Sequence, residues 1–113
     1  MKEFVLIFRL NDVNDFKPTP EQIQERMEWL KSIADAGKLA NAGNTLLPFA
    51  GSAKTVRGRK LVTDGPFTEI KEFVVGYVIV RTENIDEAVE MAERNPIFKI
   101  GGNVEVREIL QKN

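Results

Sequence analysis

An α+β domain is the fold class this sequence predicts, and three observations carry the prediction. Phe4-Val5-Leu6-Ile7-Phe8 and Phe73-Val74-Val75-Gly76-Tyr77-Val78-Ile79-Val80 are apolar without a helical period and rich in branched and aromatic residues, as strands covered on both faces are. Two other segments open on capping signals and carry apolar residues at helical spacing. Alternating segments in the middle and at the end complete the order strand, helix, strands, helix, strand. At 113 residues this is one domain, residues 1–113, with one core.

The first strand is expected to be central, because both of its faces are apolar. After the polar stretch 11–17, Thr19-Pro20-Glu21-Gln22 supplies an N-cap, a proline at the first helical position and a capping-box partner. Ile23, Met27, Leu30 and Ala34 define the apolar stripe of that helix, with Trp29 and Ile33 widening it to one side. Trp29 reads as a core or interface residue rather than a ligand-stacking one. Gly37 stands where a left-handed residue ends a helix. Leu39 to Gly43 forms a second strand, and Leu46-Leu47-Pro48-Phe49 an irregular edge, since proline does not fit a central ladder. Ala53 to Arg57 and Lys60 to Thr63 alternate around Gly58-Arg59 as a hairpin. Phe73 to Val80 is expected beside the first strand. Asn84 and Glu87 cap a second helix with Ile85, Ala88, Val89 and Ala92 on its apolar face, and Pro96 stops it. Asn103 to Arg107 alternates as a last, half-polar strand.

This order is that of the ferredoxin-like split βαβ plan with an added hairpin. Both helices of that plan pack on one face of an antiparallel sheet, yet the two strongest strands are apolar on both sides. The other face therefore needs a cover, and a second copy packed sheet to sheet across a two-fold axis is the expected one.

Composition narrows the chemistry. Sixteen basic residues against seventeen acidic ones give no field to draw nucleic acid or an anionic membrane. The basic cluster Lys54, Arg57, Arg59 and Lys60 has no interleaved aromatic residues to stack bases, so it reads as a solvated hairpin tip. No apolar run approaches the roughly 20 residues that span a bilayer, and the Met1-Lys2-Glu3 start lacks the zones of a signal peptide. With no cysteine there is no disulfide framework, and a cytoplasmic protein is expected. The absence of both His and Cys excludes thiol nucleophiles, Ser-His triads and typical zinc sites. No metal or cofactor is expected, and acid-base work falls to Asp, Glu, Lys or Tyr. Lys54-Thr55 does not end a phosphate-binding loop, because Ala53 and Pro48 stand where that motif needs glycines.

Leu61-Val62-Thr63-Asp64-Gly65-Pro66-Phe67-Thr68-Glu69-Ile70-Lys71-Glu72 resembles the signature block of the DGPF branch of the YCII-related family. The likeness extends to Ala42-Gly43, Gly76-Tyr77, Asp86-Glu87-Ala88 and Val104-Glu105-Val106-Arg107. It implies a small protein of the dimeric α+β barrel fold. Some relatives in the wider family are thought to use a His-Asp pair, the histidine on the first helix and the aspartate just before a proline after the second. This chain has no histidine and carries Asn95 before Pro96, and an amide cannot take up a proton as a carboxylate does. The His-Asp chemistry is therefore not carried over.

Asp64 is the remaining candidate catalytic residue, and Asp64, Phe67, Glu69, Lys71 and Tyr77 are the candidate ligand-binding set. In the structural reading, Asp64 accepts backbone hydrogen bonds in a turn that Gly65 and Pro66 shape and Phe67 anchors. In the functional reading it is a carboxylate at a strand end, with Glu69, Lys71 and Glu72 nearby to bind or protonate a small ligand. The expected function is small-molecule binding, extending to a cofactor-free enzyme with a pocket near the Asp64 loop and the dimer interface. The alternatives are a non-catalytic dimeric scaffold and a regulatory or interaction module. The resemblance implies a transcription partner for the latter, because genes for DGPF-type proteins often accompany extracytoplasmic-function sigma factors.

Overall fold

The computed structural model describes residues 1–49, 51–65 and 72–112. In chain order it contains β1 (Lys2–Leu10), a short 3-10 turn at Val13–Asp15, α1 (Pro20–Asp35), β2 (Leu39–Thr45), β3 (Lys54–Gly58), β4 (Leu61–Asp64), β5 (Phe73–Thr82), α2 (Ile85–Glu93), a second 3-10 segment at Pro96–Ile100, and β6 (Asn103–Glu108). Four strands form an antiparallel sheet in the order β2-β5-β1-β6, and β3-β4 form a separate two-stranded hairpin. Two helices on an antiparallel sheet of this order are compatible with the ferredoxin-like plan.

Local chemistry accounts for the element ends. Thr19 and Gln22 make a reciprocal capping box at the start of α1, so two otherwise unpaired backbone donors are satisfied. At its end, the Lys38 N–H donates to the Ile33 carbonyl and the Gly37 N–H to the Ala34 carbonyl, with Gly37 at φ +73°. That pairing closes a helix with a left-handed residue and relieves its last carbonyls. Asn84 caps α2 by accepting from the Glu87 N–H. In the hairpin, Gly58 pairs with Leu61, and Lys60 takes the positive φ of 63° in the turn. The sequence pattern centres that turn on Gly58-Arg59, whereas the strand ends place it at Arg59-Lys60.

β1 and β5 are adjacent and central, as expected. Phe4, Leu6, Phe8 and Leu10 of β1 point to the helices and are buried with Val78 and Val80 of β5. Trp29 and Ile33 of α1 and Ala88, Met91 and Ala92 of α2 close this core. The Trp29 ring packs edge-on against Phe8 with centroids 5.7 Å apart, and its Nε1 donates to the Met91 carbonyl at 2.8 Å. Trp29 is thus a core residue that ties the two helices together.

Both helices are rotated relative to the stripes drawn from the sequence. Ile23 and Met27 are exposed, whereas Trp29 and Ile33, taken as the flank, lie at the centre of the buried face of α1. On α2, Ile85 and Val89 are exposed and Met91 is buried instead. Packing against Phe8 and the β1 core selects which side of each helix turns inward, a choice that apolar spacing alone leaves open.

The opposite face of the sheet carries Val5, Ile7, Val74, Tyr77 and Ile79, with Val5 opposite Ile79 and Ile7 opposite Tyr77. Val5, Ile7, Tyr77 and Ile79 are half-buried and Val74 is exposed, so the coverage expected on both faces exists on one face within the chain. Charged pairs flank this strip. Arg9 donates to Glu105 at 3.1 Å and to Asn103 at 2.8 Å, and Arg81 donates to Glu3 at 3.0 Å.

Candidate ligand-binding site

Of the residues the sequence nominates, Asp64 and Tyr77 fall among those described, while Phe67, Glu69 and Lys71 lie outside them. Asp64 ends β4 directly opposite Lys54, whose Nζ donates to its carboxylate at 2.6 Å. That hydrogen bond, with the lysine charge behind it, holds the Asp64 carboxyl below the usual carboxylate range. Both side chains are largely exposed. The next residue is tied down by backbone and side chain: the Gly65 N–H donates to the Ala53 carbonyl at 2.6 Å and the Gly65 carbonyl accepts from Thr55 Oγ1 at 2.9 Å. Tyr77 belongs to the other sheet, where its hydroxyl accepts from Asn44 Nδ2 at 3.1 Å on the helix-free face. The structure therefore does not bring Asp64 and Tyr77 together. Glu72 joins the Arg9 cluster, accepting from Asn103 Nδ2 at 3.2 Å.

A cavity of about 450 Å³ opens elsewhere, on the helical side, between the first half of α1, the 3-10 segment Pro96–Ile100, and the ends of β1 and β5. Neither Asp64 nor Tyr77 lines it. Phe8, Leu10, Val75 and Ile97 form its floor, and Phe16 and Ile23 stand at its sides. Phe16 is held there by an edge-on contact with Phe49, centroids 5.7 Å apart. A mostly apolar concavity of this size with a few polar groups is the usual form of a small-molecule site.

Two of the polar groups have donors to spare. Arg26 projects from α1 on the same side as Trp29 and Ile33, three and seven residues on, and so sits at the edge of the buried face. It is half-buried, its guanidinium has no hydrogen bond or ion pair among the described residues, and burial pushes its pKa down. Loss of water disfavours the charged form, and no described residue nearby restores it. Asn95 is 7 % exposed. Its Oδ1 accepts from the Ile97 N–H at 2.8 Å and caps the 3-10 segment, while its Nδ2 has no partner among the described residues. Asp15 and Lys17 complete the ionisable lining from the exposed loop after β1.

A larger concavity of about 560 Å³ lies between α1 and α2 and is lined by charged side chains. Lys38 and Glu87 pair with each other across it, and the Lys38 hydrogen bond holds the Glu87 carboxyl below its ordinary range. That pair takes up two of its charged side chains and the others, Asp86, Glu90 and Arg94, are exposed to water, so the apolar cavity is the stronger candidate.

The sequence reading missed Arg26, although a signal existed: with Trp29 and Ile33 facing inward, the residue three before Trp29 faces inward too. Asn95 was noticed only as a departure from an aspartate. Its side chain nevertheless lines the same cavity as Gln22, Ile23 and Arg26 of the first helix. Among the described residues no group of three or more metal-ligating side chains comes together, and no helix is long and apolar enough to cross a membrane.

An uncharacterised protein of Rhizobium meliloti (strain 1021) is 35% identical over 65 residues, a match covering 55% of this chain and 51% of that protein. The match thus spans about half the length of this curated relative. The YCII-related domain matches residues 4–113, and the chain accordingly belongs to the YCII-related family.

Proposed function

We propose that this chain is a small-molecule-binding protein of the DGPF branch, cytoplasmic and acting as a homodimer, whose ligand occupies the cavity between α1 and Pro96–Ile100. The Asp64-Gly65-Pro66-Phe67 block supports the branch. The observation that carries the binding reading is a mostly apolar cavity of about 450 Å³ with a guanidinium at its wall that has no partner among the described residues. Binding without turnover is favoured by the donor set. A guanidinium and an amide cannot accept a proton at neutral pH, and the one carboxylate among the described lining residues, Asp15, sits on the exposed loop. Asp64 enters this reading as a hairpin residue, since its carboxylate is engaged by Lys54.

The dimer rests on the helix-free face. An apolar strip of Val5, Ile7, Val74, Tyr77 and Ile79, bordered by charges of both signs, supports pairing with the same strip of a second copy across a two-fold axis. A second copy buries that strip without requiring a different partner.

A fragment screen by ligand-observed NMR tests the binding reading when it is run in parallel on the wild-type chain and on Ile23→Trp. Ile23 lines the cavity yet is 48% exposed, so the indole can fill space there without disturbing the core. Fragments that bind the wild type and are lost on Ile23→Trp are the expected result. A screen with no binders, or with binders indifferent to the substitution, would refute the site.

A further inference from the structure

From Arg26 and Asn95 we infer the chemical class of the ligand: a small monoanionic carboxylate with a flat apolar body, its carboxylate on the Arg26 guanidinium and the Asn95 amide, its body against Phe8, Leu10, Val75 and Ile97. This inference rests on the cavity being the binding site.

Three features converge on it. Among the described residues the ionisable lining comprises Asp15, Lys17 and Arg26, one acid against two bases, which leaves a single positive charge for a ligand to match. Of the two bases, Lys17 is exposed beside Asp15 on the loop, whereas Arg26 is half-buried and unpartnered. A guanidinium partly withdrawn from water stays charged, and its planar fork matches the two oxygens of a carboxylate. A dianionic phosphate would call for a second inward-facing cation, and among the described lining residues Arg26 alone takes that position.

Asn95 supplies the second, independent observation. More than nine-tenths buried, it keeps its Oδ1 on the Ile97 N–H and leaves its Nδ2 without a partner. The Nδ2 is not sealed off from solvent, so it stands open on the cavity surface, where a carboxylate oxygen can accept from it. An aspartate at this position would cap Pro96–Ile100 equally well but would offer only acceptors. The amide therefore makes the cavity hospitable to an anion where an acid would repel one. Gln22 and Thr45 apart, the rest of the described lining is apolar and includes Phe8 and Phe16, which suits a ring system.

Calorimetric titration of the full chain with 2-naphthoate and with neutral 2-naphthamide distinguishes the possibilities. The wild type is expected to bind the naphthoate at least tenfold more tightly than the amide. Arg26→Gln should remove that preference while leaving the naphthamide affinity within about twofold. Asn95→Asp, which keeps the cap, should weaken the naphthoate at least tenfold and leave the naphthamide unchanged. Ile23→Trp should abolish both. Equal binding of the two compounds, or a naphthoate preference that survives Arg26→Gln, would overturn the carboxylate assignment while leaving the cavity as the site. Failure of the wild type to bind either compound would overturn the assignment and the cavity together.

Discussion

Replacing Arg26 with methionine is expected to stabilise the unliganded protein. A charge at the edge of the core is a cost unless something pairs with it, and Arg26 has no partner among the described residues. Full burial of an unpaired ion costs several kcal/mol. Arg26 is only half-buried, so water still screens it, and a discounted figure of about 0.5–1 kcal/mol is appropriate. Methionine retains the apolar stem and has a helix propensity close to that of arginine, so α1 loses neither packing nor local preference. For a domain of this length, about 1 kcal/mol corresponds to roughly 4–6 °C in Tm. Trp29 is the single tryptophan and is buried against Phe8, so its fluorescence follows global unfolding. Urea titrations at one fixed protein concentration, necessary if the chain dimerises, should place the midpoint of Arg26→Met above that of the wild type. A ligand-binding arginine is retained at the expense of stability, whereas a structural one contributes to it. A midpoint clearly below the wild type would mean that Arg26 supports the native packing, and the argument from an uncompensated charge would fail.

Gly43→Ala should be far more damaging than its size suggests. Gly43 sits at φ +65°, and an added Cβ would lie 1.6 Å from the Tyr77 carbonyl oxygen. Left-handed strain and overpacking together predict a loss of about 2–4 kcal/mol, and an unchanged urea midpoint would contradict the close approach of β2 to β5. Asp64→Asn is expected to fold normally with a small loss at neutral pH. Because Lys54 lowers the folded-state pKa of Asp64, the pair contributes above the ordinary carboxylate range, and that contribution is lost as pH falls through the lowered folded value. The difference in Tm between wild type and variant should therefore vanish in strong acid, and shrink in high salt as expected for an exposed pair. A difference that grew on acidification would contradict the sign. Finally, light scattering at micromolar concentration should give the mass of a dimer for the wild type and of a monomer for Ile79→Lys, with native Trp29 fluorescence in both. Ile79 is half-buried on the helix-free face, and a wild-type monomer would dispose of the sheet-to-sheet interface.

How much of this protein can be read without coordinates depends on the range of the forces involved. Thr19-Pro20-Glu21-Gln22, Asn84 with Glu87, Gly37 after the first helix, and the runs Phe4 to Phe8 and Phe73 to Val80 act over a few residues. They placed both helices and the two central strands as they are found. The family was equally legible, because a contiguous block from Leu61 to Glu72 carries the resemblance and its match extends across residues 4–113. What faces what is a longer-range matter. Ile23 and Met27 have the spacing of a buried stripe, yet α1 turns Trp29 and Ile33 inward because Phe8 and the Met91 carbonyl await the indole. That rotation carries Arg26 to the wall of a cavity and leaves it there with no counter-ion among the described residues, which no pattern within α1 states. Asn95 and Arg26 are separated by more than half the chain and become neighbours of one cavity only when the Pro96–Ile100 segment packs beside α1. Local propensity is written into neighbouring residues, whereas a site is a coincidence of distant ones, and only the closing of the core brings these two to the same space.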